Sequence, residues 1–216
     1  MENAIEQIAA TLAHEVKNPL SLVLANIDLL ESRDCTVEHK NNYKTIRCEL
    51  NRINEIIMQF LTITRTPNET FDLVYVIDIL KKIAEKYTTT YTNISFTLTT
   101  KTEGPVLGSR DSLSILFHNI MKNAIEALEE VNALCKIDIL LKEENNHVII
   151  EIMDNGRGIP SEIHENITHS FFTTKPTGTG LGLGICQKVA DDHSGRFKLM
   201  NAEKGCVAVV ELPLAE

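Results

Sequence analysis

The sequence predicts an all-α helical hairpin followed by an α+β sandwich. Two observations predict the hairpin: apolar residues recur every three or four positions as far as Leu61, and a single short polar break interrupts them. A third observation predicts the sandwich, because beyond Pro67 amphipathic helical stretches are mixed with stretches of alternating apolar residues.

The hairpin is predicted from two apolar stripes. One stripe consists of Ile5, Ile8, Leu12, Val16, Leu20, Val23, Ile27 and Leu30, and the other of Tyr43, Ile46, Leu50, Ile53, Ile57 and Leu61. The polar break at residues 32–36 is short, so the two helices should fold back antiparallel. Two helices cannot cover both stripes, and we therefore expect a homodimer in which two hairpins form a four-helix bundle.

A domain boundary is expected at Pro67, because proline cannot continue a helix and restricts the residue before it. We therefore expect a dimerisation domain in residues 1–66 and a second domain in residues 69–216. Helices are predicted around residues 76–83, 113–127 and 183–190. Strands are predicted at residues 94–100, 137–141, 148–153, 196–200 and 207–212, with the helices gathered on one face of the sheet.

Composition excludes several classes of protein. The chain has 216 residues, of which 43% are hydrophobic, and this composition is typical of a folded protein. A net charge of −9 with scattered lysines and arginines argues against nucleic-acid binding. No apolar run approaches the ~18 residues of a membrane span, and the start does not resemble a signal peptide, so a cytoplasmic location is expected. Five cysteines without a CxxC pair favour buried free thiols.

Two glycine-rich boxes are candidates for ligand binding. The first, Asp154-Asn155-Gly156-Arg157-Gly158-Ile159, follows a predicted strand, and its glycines permit a sharp turn and close approach to a ligand. The second, Gly178-Thr179-Gly180-Leu181-Gly182-Leu183, opens a predicted helix, whose backbone N–H groups can receive phosphate oxygens. Either box alone is equally compatible with an ordinary turn.

Together with Asn119-Ile120-Met121-Lys122-Asn123-Ala124, the two boxes resemble the nucleotide site of the GHKL ATPase and kinase superfamily. Phe171-Phe172-Thr173-Thr174-Lys175 is similar to the phenylalanine box of its histidine-kinase branch, and residues 160–177 resemble that branch's mobile lid. The resemblance implies ATP and Mg²⁺ as cofactors. The implied nucleotide-binding residues are Asn119, Lys122, Asn123, Asp154, Gly156, Gly158, Ile159, Phe172, Thr174, Lys175, Gly178, Thr179, Gly180, Leu181, Gly182 and Leu183.

The resemblance also implies a role for individual residues of this site. Asn123 is the expected Mg²⁺ ligand, with Asn119 beside it and Lys122 near the phosphates. An amide oxygen is a hard ligand suited to Mg²⁺. Asp154 is expected to accept a hydrogen bond from the adenine amino group, a role that suits a carboxylate in a partly buried pocket.

A further box, His14-Glu15-Val16-Lys17-Asn18-Pro19-Leu20, resembles the phospho-acceptor box of histidine kinases. His14 lies off the apolar stripe, so the helix should present it to solvent. The implied catalytic residues are His14 as phosphoryl acceptor, Glu15 as its orienting or deprotonating partner, and Asn18. By resemblance, Asn18 orients water in a phosphatase reaction on a phosphorylated response regulator, although it could instead cap backbone groups loosened by Pro19.

The implied protein is a sensor histidine kinase of a two-component system, of sporulation or nitrogen-sensor type, which phosphorylates itself on His14 and then an aspartate of a response regulator receiver domain. Three alternatives are open. An ATP-hydrolysing relative carries a glutamate where Asn119 stands, and an anti-sigma serine kinase lacks the hairpin and the histidine box. A scaffold without catalytic activity would bind the regulator but not label itself with ATP.

Overall fold

The computed structural model divides into two compact units, residues 1–66 and 67–216. The structure describes Val16, His39, Ile53 and Ile57 and the ranges 20–31, 42–47, 49–50, 71–129, 134–160 and 181–215. Within these residues, no helix is both long enough and apolar enough to cross a membrane.

The first unit contains two helical segments, 20–31 and 42–47, as the apolar stripes predicted. Arg47 of the second segment forms ion pairs with Glu31 and, at 2.8 Å, with Asp28 of the first, so the two segments lie side by side. Leu20 and Ile27 of the predicted stripe are buried, whereas Val23 and Leu30 are each 43% exposed in the single chain. The predicted break at residues 32–36 lies outside the described residues.

In the second unit, the expected helices and strands are confirmed with slightly different ends. The helices are α1 (Val76–Thr90), α2 (Arg110–Leu128) and α3 (Gly182–Asp192). The strands of the main sheet are β2 (Ile94–Thr100), β4 (Cys135–Glu144), β5 (His147–Asp154), β6 (Arg196–Asn201) and β7 (Cys206–Pro213). Two short strands that the pattern did not predict, β1 (Asp72–Val74) and β3 (Val106–Gly108), form a separate antiparallel pair.

The main sheet has the strand order β2-β4-β5-β7-β6, in which β2 and β4 are parallel and the other neighbours are antiparallel. Alternate residues of β5 are buried, namely Val148, Ile150, Ile152 and Asp154. The intervening residues of β5 are half-buried or exposed. This alternation means that one face of the sheet packs on the helices and the other is open to solvent.

The start of α2 is fixed by the buried ring of His193, which follows α3. The backbone N–H of Ser109 donates to Nε2 of His193 at 3.0 Å, and Nδ1 lies 2.7 Å from the carbonyl oxygen of Val189. Nε2 therefore accepts, so Nδ1 carries the hydrogen and donates to Val189. The Ser109 hydroxyl in turn accepts from the N–H of Ser112 as the N-cap of α2. One imidazole thus ties the end of α3 to the beginning of α2.

The two faces of β5 should respond differently to truncation. Ile150 is fully buried between β4 and β7, so Ile150→Ala should lower the free energy of unfolding by about 2–5 kcal/mol, the usual range for such a cavity. Met153→Ala, on the open face of the same strand, should cost less than about 1 kcal/mol. Urea denaturation of both variants provides the measurement, and equal losses would contradict the assigned faces.

Candidate nucleotide-binding site

The first glycine box begins with a buried carboxylate. Asp154 is the last residue of β5, lies on the helix-packed face and is only 6% exposed. Its Oδ1 accepts a hydrogen bond from the N–H of Gly156 at 2.8 Å. Burial raises the pKa of the Asp154 carboxyl above its ordinary value, and hydrogen bonds from backbone N–H groups oppose that rise. Among the described residues, no basic side chain forms an ion pair with it.

The backbone of this box packs tightly against the end of α2. The N–H of Arg157 donates to the carbonyl oxygen of Ala127 at 3.3 Å. A Cβ added to Gly156 would lie 2.6 Å from that same oxygen, so the approach requires glycine. Gly158 has φ +70°, a conformation that favours glycine for a second reason.

Two asparagine side chains fix the conformation of the box, one towards β4 and the other from the end of β6. On the β4 side, Asn155 accepts from the N–H of Lys136 at 2.8 Å and donates to the carbonyl oxygen of Leu134 at 2.7 Å. On the β6 side, Asn201 accepts from the N–H of Ile159 at 2.7 Å and donates to its carbonyl oxygen at 2.8 Å. The conformation of the box is therefore specified by side chains as well as by its glycines.

The second glycine box meets α2 near the middle of the helix, at Asn119. Gly182 begins α3, and a Cβ added there would lie 3.2 Å from Oδ1 of Asn119, so the Asn119 amide borders the start of α3. The side chain of the N-cap residue, Leu181, forms no capping hydrogen bond with the helix. Ile159 and Leu181 are buried, whereas Leu183 is half-buried. Backbone N–H groups of a first helical turn lack intrahelical acceptors and therefore attract anions.

One face of α2 connects the two boxes. Asn119, Asn123 and Ala127 are spaced four residues apart and therefore share a face. Asn119 borders Gly182 at one end and Ala127 touches Gly156 at the other, so the half-buried Asn123 lies between the boxes. At 1.5 Å per residue, Asn119 and Ala127 are about 12 Å apart along the helix axis. Lys122, by contrast, is exposed on the neighbouring face.

His14, Glu15 and Asn18 lie outside the described residues, as do Phe172, Thr174, Lys175, Gly178, Thr179 and Gly180. The described residues that the structure brings together are Asn119, Asn123, Asp154, Gly156, Gly158, Ile159 and Gly182.

Sequence reasoning missed three contributors to this site. Asn155 lies inside the first box, but its spacing does not reveal that it reaches back to β4. Asn201 is 42 residues from its partner Ile159, an isolated polar residue at a strand end that gives no signal in the sequence. Cys206 pairs with Asp154 across the sheet, and burial, with a smaller contribution from the Asp154 charge, raises the pKa of its thiol to about 12.

A separate cavity of about 410 Å³ lies at the opposite end of β5, near the β4–β5 turn. Its lining includes Glu144, His147, Arg196 and Glu211. These side chains carry both signs of charge, and none of the predicted nucleotide-binding residues contributes to the lining. The candidate site is therefore the open surface between the two glycine boxes and not this cavity.

Comparison with family models agrees with the two-unit division. Residues 4–69 match the His Kinase A (phospho-acceptor) domain, and residues 108–216 match the family of histidine kinase-, DNA gyrase B- and HSP90-like ATPases. The chain belongs to the histidine kinase family, and its second unit is an ATPase domain of the GHKL type. The predicted family and fold class are therefore confirmed.

Individual relatives give the same result. Sporulation kinase C of Bacillus subtilis is 32% identical over 213 residues, covering 96% of this chain and 49% of the relative. The chain thus spans about half the length of that relative. The catalytic domain of histidine kinase ThkA is 32% identical and covers 68% of this chain and 97% of its own, with a TM-score of 0.62.

Two longer structures cover nearly the whole chain. ThkA in complex with the response regulator protein TrrA is 27% identical, covers 97% of this chain and 61% of its own, and has a TM-score of 0.67. Full-length ShkA in complex with AMPPNP is 20% identical and covers 98% of this chain and 46% of its own, with a TM-score of 0.78. At that identity, the likeness to ShkA concerns the fold alone.

The burial of Asp154 leads to a prediction about stability. Because its pKa is raised in the folded state, the folded protein binds more protons than the unfolded chain between the unfolded pKa of about 3.9 and the folded value. Stability therefore falls as the pH rises through that window, and the loss is complete above the folded pKa. Asp154→Asn removes the charge and keeps an oxygen for the Gly156 N–H.

The nucleotide-free Asp154→Asn protein should accordingly melt at a higher temperature than the wild type at pH 7. The difference should shrink as the pH is lowered towards 4. Thermal melts across that pH range, without nucleotide, provide the measurement. A variant that melts lower than the wild type at pH 7 would show that the carboxylate stabilises the fold.

Proposed function

We propose that this chain is the kinase core of a two-component system: it binds ATP between the two glycine boxes, moves the γ-phosphoryl group to His14 and passes it to an aspartate of a response regulator. The buried carboxylate of Asp154 carries the proposal. A carboxyl group held at 6% exposure without an ion-pair partner among the described residues fits a ligand that supplies a hydrogen-bond donor. The adenine amino group is such a donor.

The separation of the two boxes along α2 supports one orientation of the nucleotide, with the base near the first box and the phosphates near the second. Asp154 and Gly156 lie at the C-terminal end of α2, which receives the base, whereas Asn119 and the start of α3 meet near the middle of α2. The positive end of the α3 dipole suits the phosphates. The face of α2 between them therefore runs alongside the ribose and the α-phosphate.

Mg²⁺ fits the donors that this site offers. Within the described part of the chain, no group of three or more His, Cys, Asp or Glu side chains forms a cluster that could hold a metal ion. Mg²⁺ is usually held by one or two protein oxygens together with phosphates and water, and the Asn123 amide between the boxes can supply such an oxygen. When bound, the ion supplies neutralisation of the phosphate charge during transfer.

The phosphoryl acceptor is assigned to His14, which falls within the segment matching the phospho-acceptor domain. An imidazole nitrogen of His14 attacks the γ-phosphorus, the P–N bond forms as the bond to the bridging oxygen breaks, and ADP leaves. Glu15 accepts the ring proton. In the second step, a carboxylate oxygen of the regulator's aspartate attacks the phosphorus, the P–N bond breaks, and the leaving ring nitrogen takes back a proton from Glu15, which returns neutral histidine.

A response regulator and a second copy of this chain are the proposed partners. The ThkA complex with a response regulator supports the first, since ThkA resembles this chain over both units. Exposed apolar side chains in the first unit support the second. Leu22 is 66% exposed and Leu29 58% exposed, and Val23, Leu30 and Ile46 are also exposed in the single chain. Pairing of two hairpins would bury such surface.

Labelling with γ-labelled ATP tests the proposal. The wild-type protein should become labelled through a bond that is acid-labile and base-stable, as a phosphorus–nitrogen bond is. His14→Gln should lose at least about 99% of the label because the nucleophile is gone, while its affinity for ADP should stay within about twofold of the wild type, since the pocket is intact.

His39→Gln is the matched control, because His39 is an exposed histidine in the same unit and belongs to no motif. It should label like the wild type. Label that persists in His14→Gln, or that disappears in His39→Gln with His14 intact, would contradict the assignment of the acceptor.

A further inference from the structure

The side chain of Asn201 forms two hydrogen bonds with the main chain of the first glycine box. Its Oδ1 accepts from the N–H of Ile159 at 2.7 Å, and its Nδ2 donates to the carbonyl oxygen of the same residue at 2.8 Å. An amide carries a donor and an acceptor side by side, so it can satisfy both polar groups of one residue. Asn201, the last residue of β6, thus holds both backbone polar groups of Ile159, which lies beyond the end of β5.

The segment that Asn201 holds follows the part of the box that Asn155 and the Ala127 carbonyl oxygen restrain. Ile159 lies beyond Asp154, where the pairing of β5 with β4 and β7 has ended. Gly158 has φ +70°, and a Cβ added there would lie 3.1 Å from Oδ1 of Asn201. The glycine therefore provides both the turn and the space for the asparagine side chain. Without the amide, a glycine-rich segment has a broad choice of conformations.

The position of Asn201 couples this segment to the buried carboxylate. Asn201 pairs with Cys206, and Cys206 pairs with Asp154, so the three residues lie in one row across β6, β7 and β5. The row fixes the position of Asp154, and the side chain of Asn201 at its far end fixes the position of Ile159. The turn that joins β6 to β7 is closed by the N–H of Ala202, which donates to the carbonyl oxygen of Gly205 at 3.1 Å.

We infer that Asn201 is a positioning residue for the base end of the nucleotide site. It acts through Ile159, holding the buried isoleucine and Asp154 at a fixed separation so that the base meets a preformed surface. The inference rests on the proposed nucleotide-binding function. Preorganisation of a loop improves affinity because the ligand does not have to order it. The phosphate end, at Asn123 and the start of α3, does not depend on this clasp.

The substitution Asn201→Ala removes both hydrogen bonds at an exposed strand end. It should weaken ADP binding, measured by calorimetry, by about tenfold, the change expected when two hydrogen bonds of ordinary net strength no longer order the loop. The KM for ATP in self-labelling should rise by a similar factor, whereas kcat should stay within about twofold. A residue that only stabilises the fold would lower the melting temperature without this division between KM and kcat.

A second variant separates the two hydrogen bonds. Asn201→Asp keeps an acceptor for the Ile159 N–H but cannot donate to the Ile159 carbonyl oxygen. Amide hydrogen exchange at Ile159 should therefore stay slow in Asn201→Asp and become fast in Asn201→Ala, with ADP affinity reduced in both. Asn93→Ala is the matched control, since Asn93 is an exposed asparagine in the turn between α1 and β2. The control should bind ADP like the wild type.

The outcomes distinguish the inference from the function on which it rests. If the wild type binds ADP and Asn201→Ala binds it within twofold, the positioning role is wrong and the proposed function stands. If the wild type does not bind ADP, the proposed function fails and the inference fails with it. If Asn201→Ala does not fold, Asn201→Asp decides instead: reduced ADP affinity in that variant supports the positioning role, and wild-type affinity overturns it because the paired hydrogen bonds are then not needed for binding.

Discussion

The burial of the Asp154 carboxylate is the constraint on which the rest of the site depends. An isolated carboxylate at the end of a central strand is unfavourable unless hydrogen-bond donors surround it, and backbone N–H groups near Gly156 supply part of that requirement. Backbone donors can approach so closely only where side chains are absent. A Cβ on Gly156 would lie 2.8 Å from Oδ1 of Asp154, and a Cβ on Gly205 would collide with the carbonyl oxygen of Asp154. Gly156 and Gly205 thus leave room for the close packing around the buried carboxyl group.

The helix α2 gives the site its length and direction. Its N-terminus is fixed by the Ser109 cap and by the tie to His193, and its C-terminal carbonyl of Ala127 receives the first glycine box. Between these points Asn119 and Asn123 can lie only on the face that the two boxes flank. The polar face of α2 is therefore positioned by packing at both ends, while its apolar residues Leu113, Leu116, Phe117 and Met121 are fully buried.

The long elements could be predicted from sequence because their apolar periods extend over enough residues. Helices α1 to α3 and the five strands of the main sheet all met this condition. The pair β1–β3 did not, since three-residue strands are too short to display a period. In the site, residues belonging to a motif could be proposed from resemblance. The clasp between Asn201 and Ile159 could not, because a hydrogen bond across 42 residues depends on strand order, which the local pattern does not encode.

The central claim is that adenine nucleotides bind between the two glycine boxes, along the Asn119–Ala127 face of α2. Amide hydrogen exchange on the intact chain, with and without ADP and Mg²⁺, tests it most directly. Slower exchange should appear in residues 154–159 and in the first turn of α3, with β2 and the β4–β5 turn unchanged. Protection confined to the cavity lined by Glu144, His147 and Arg196, or no protection at saturating ADP, would contradict the account.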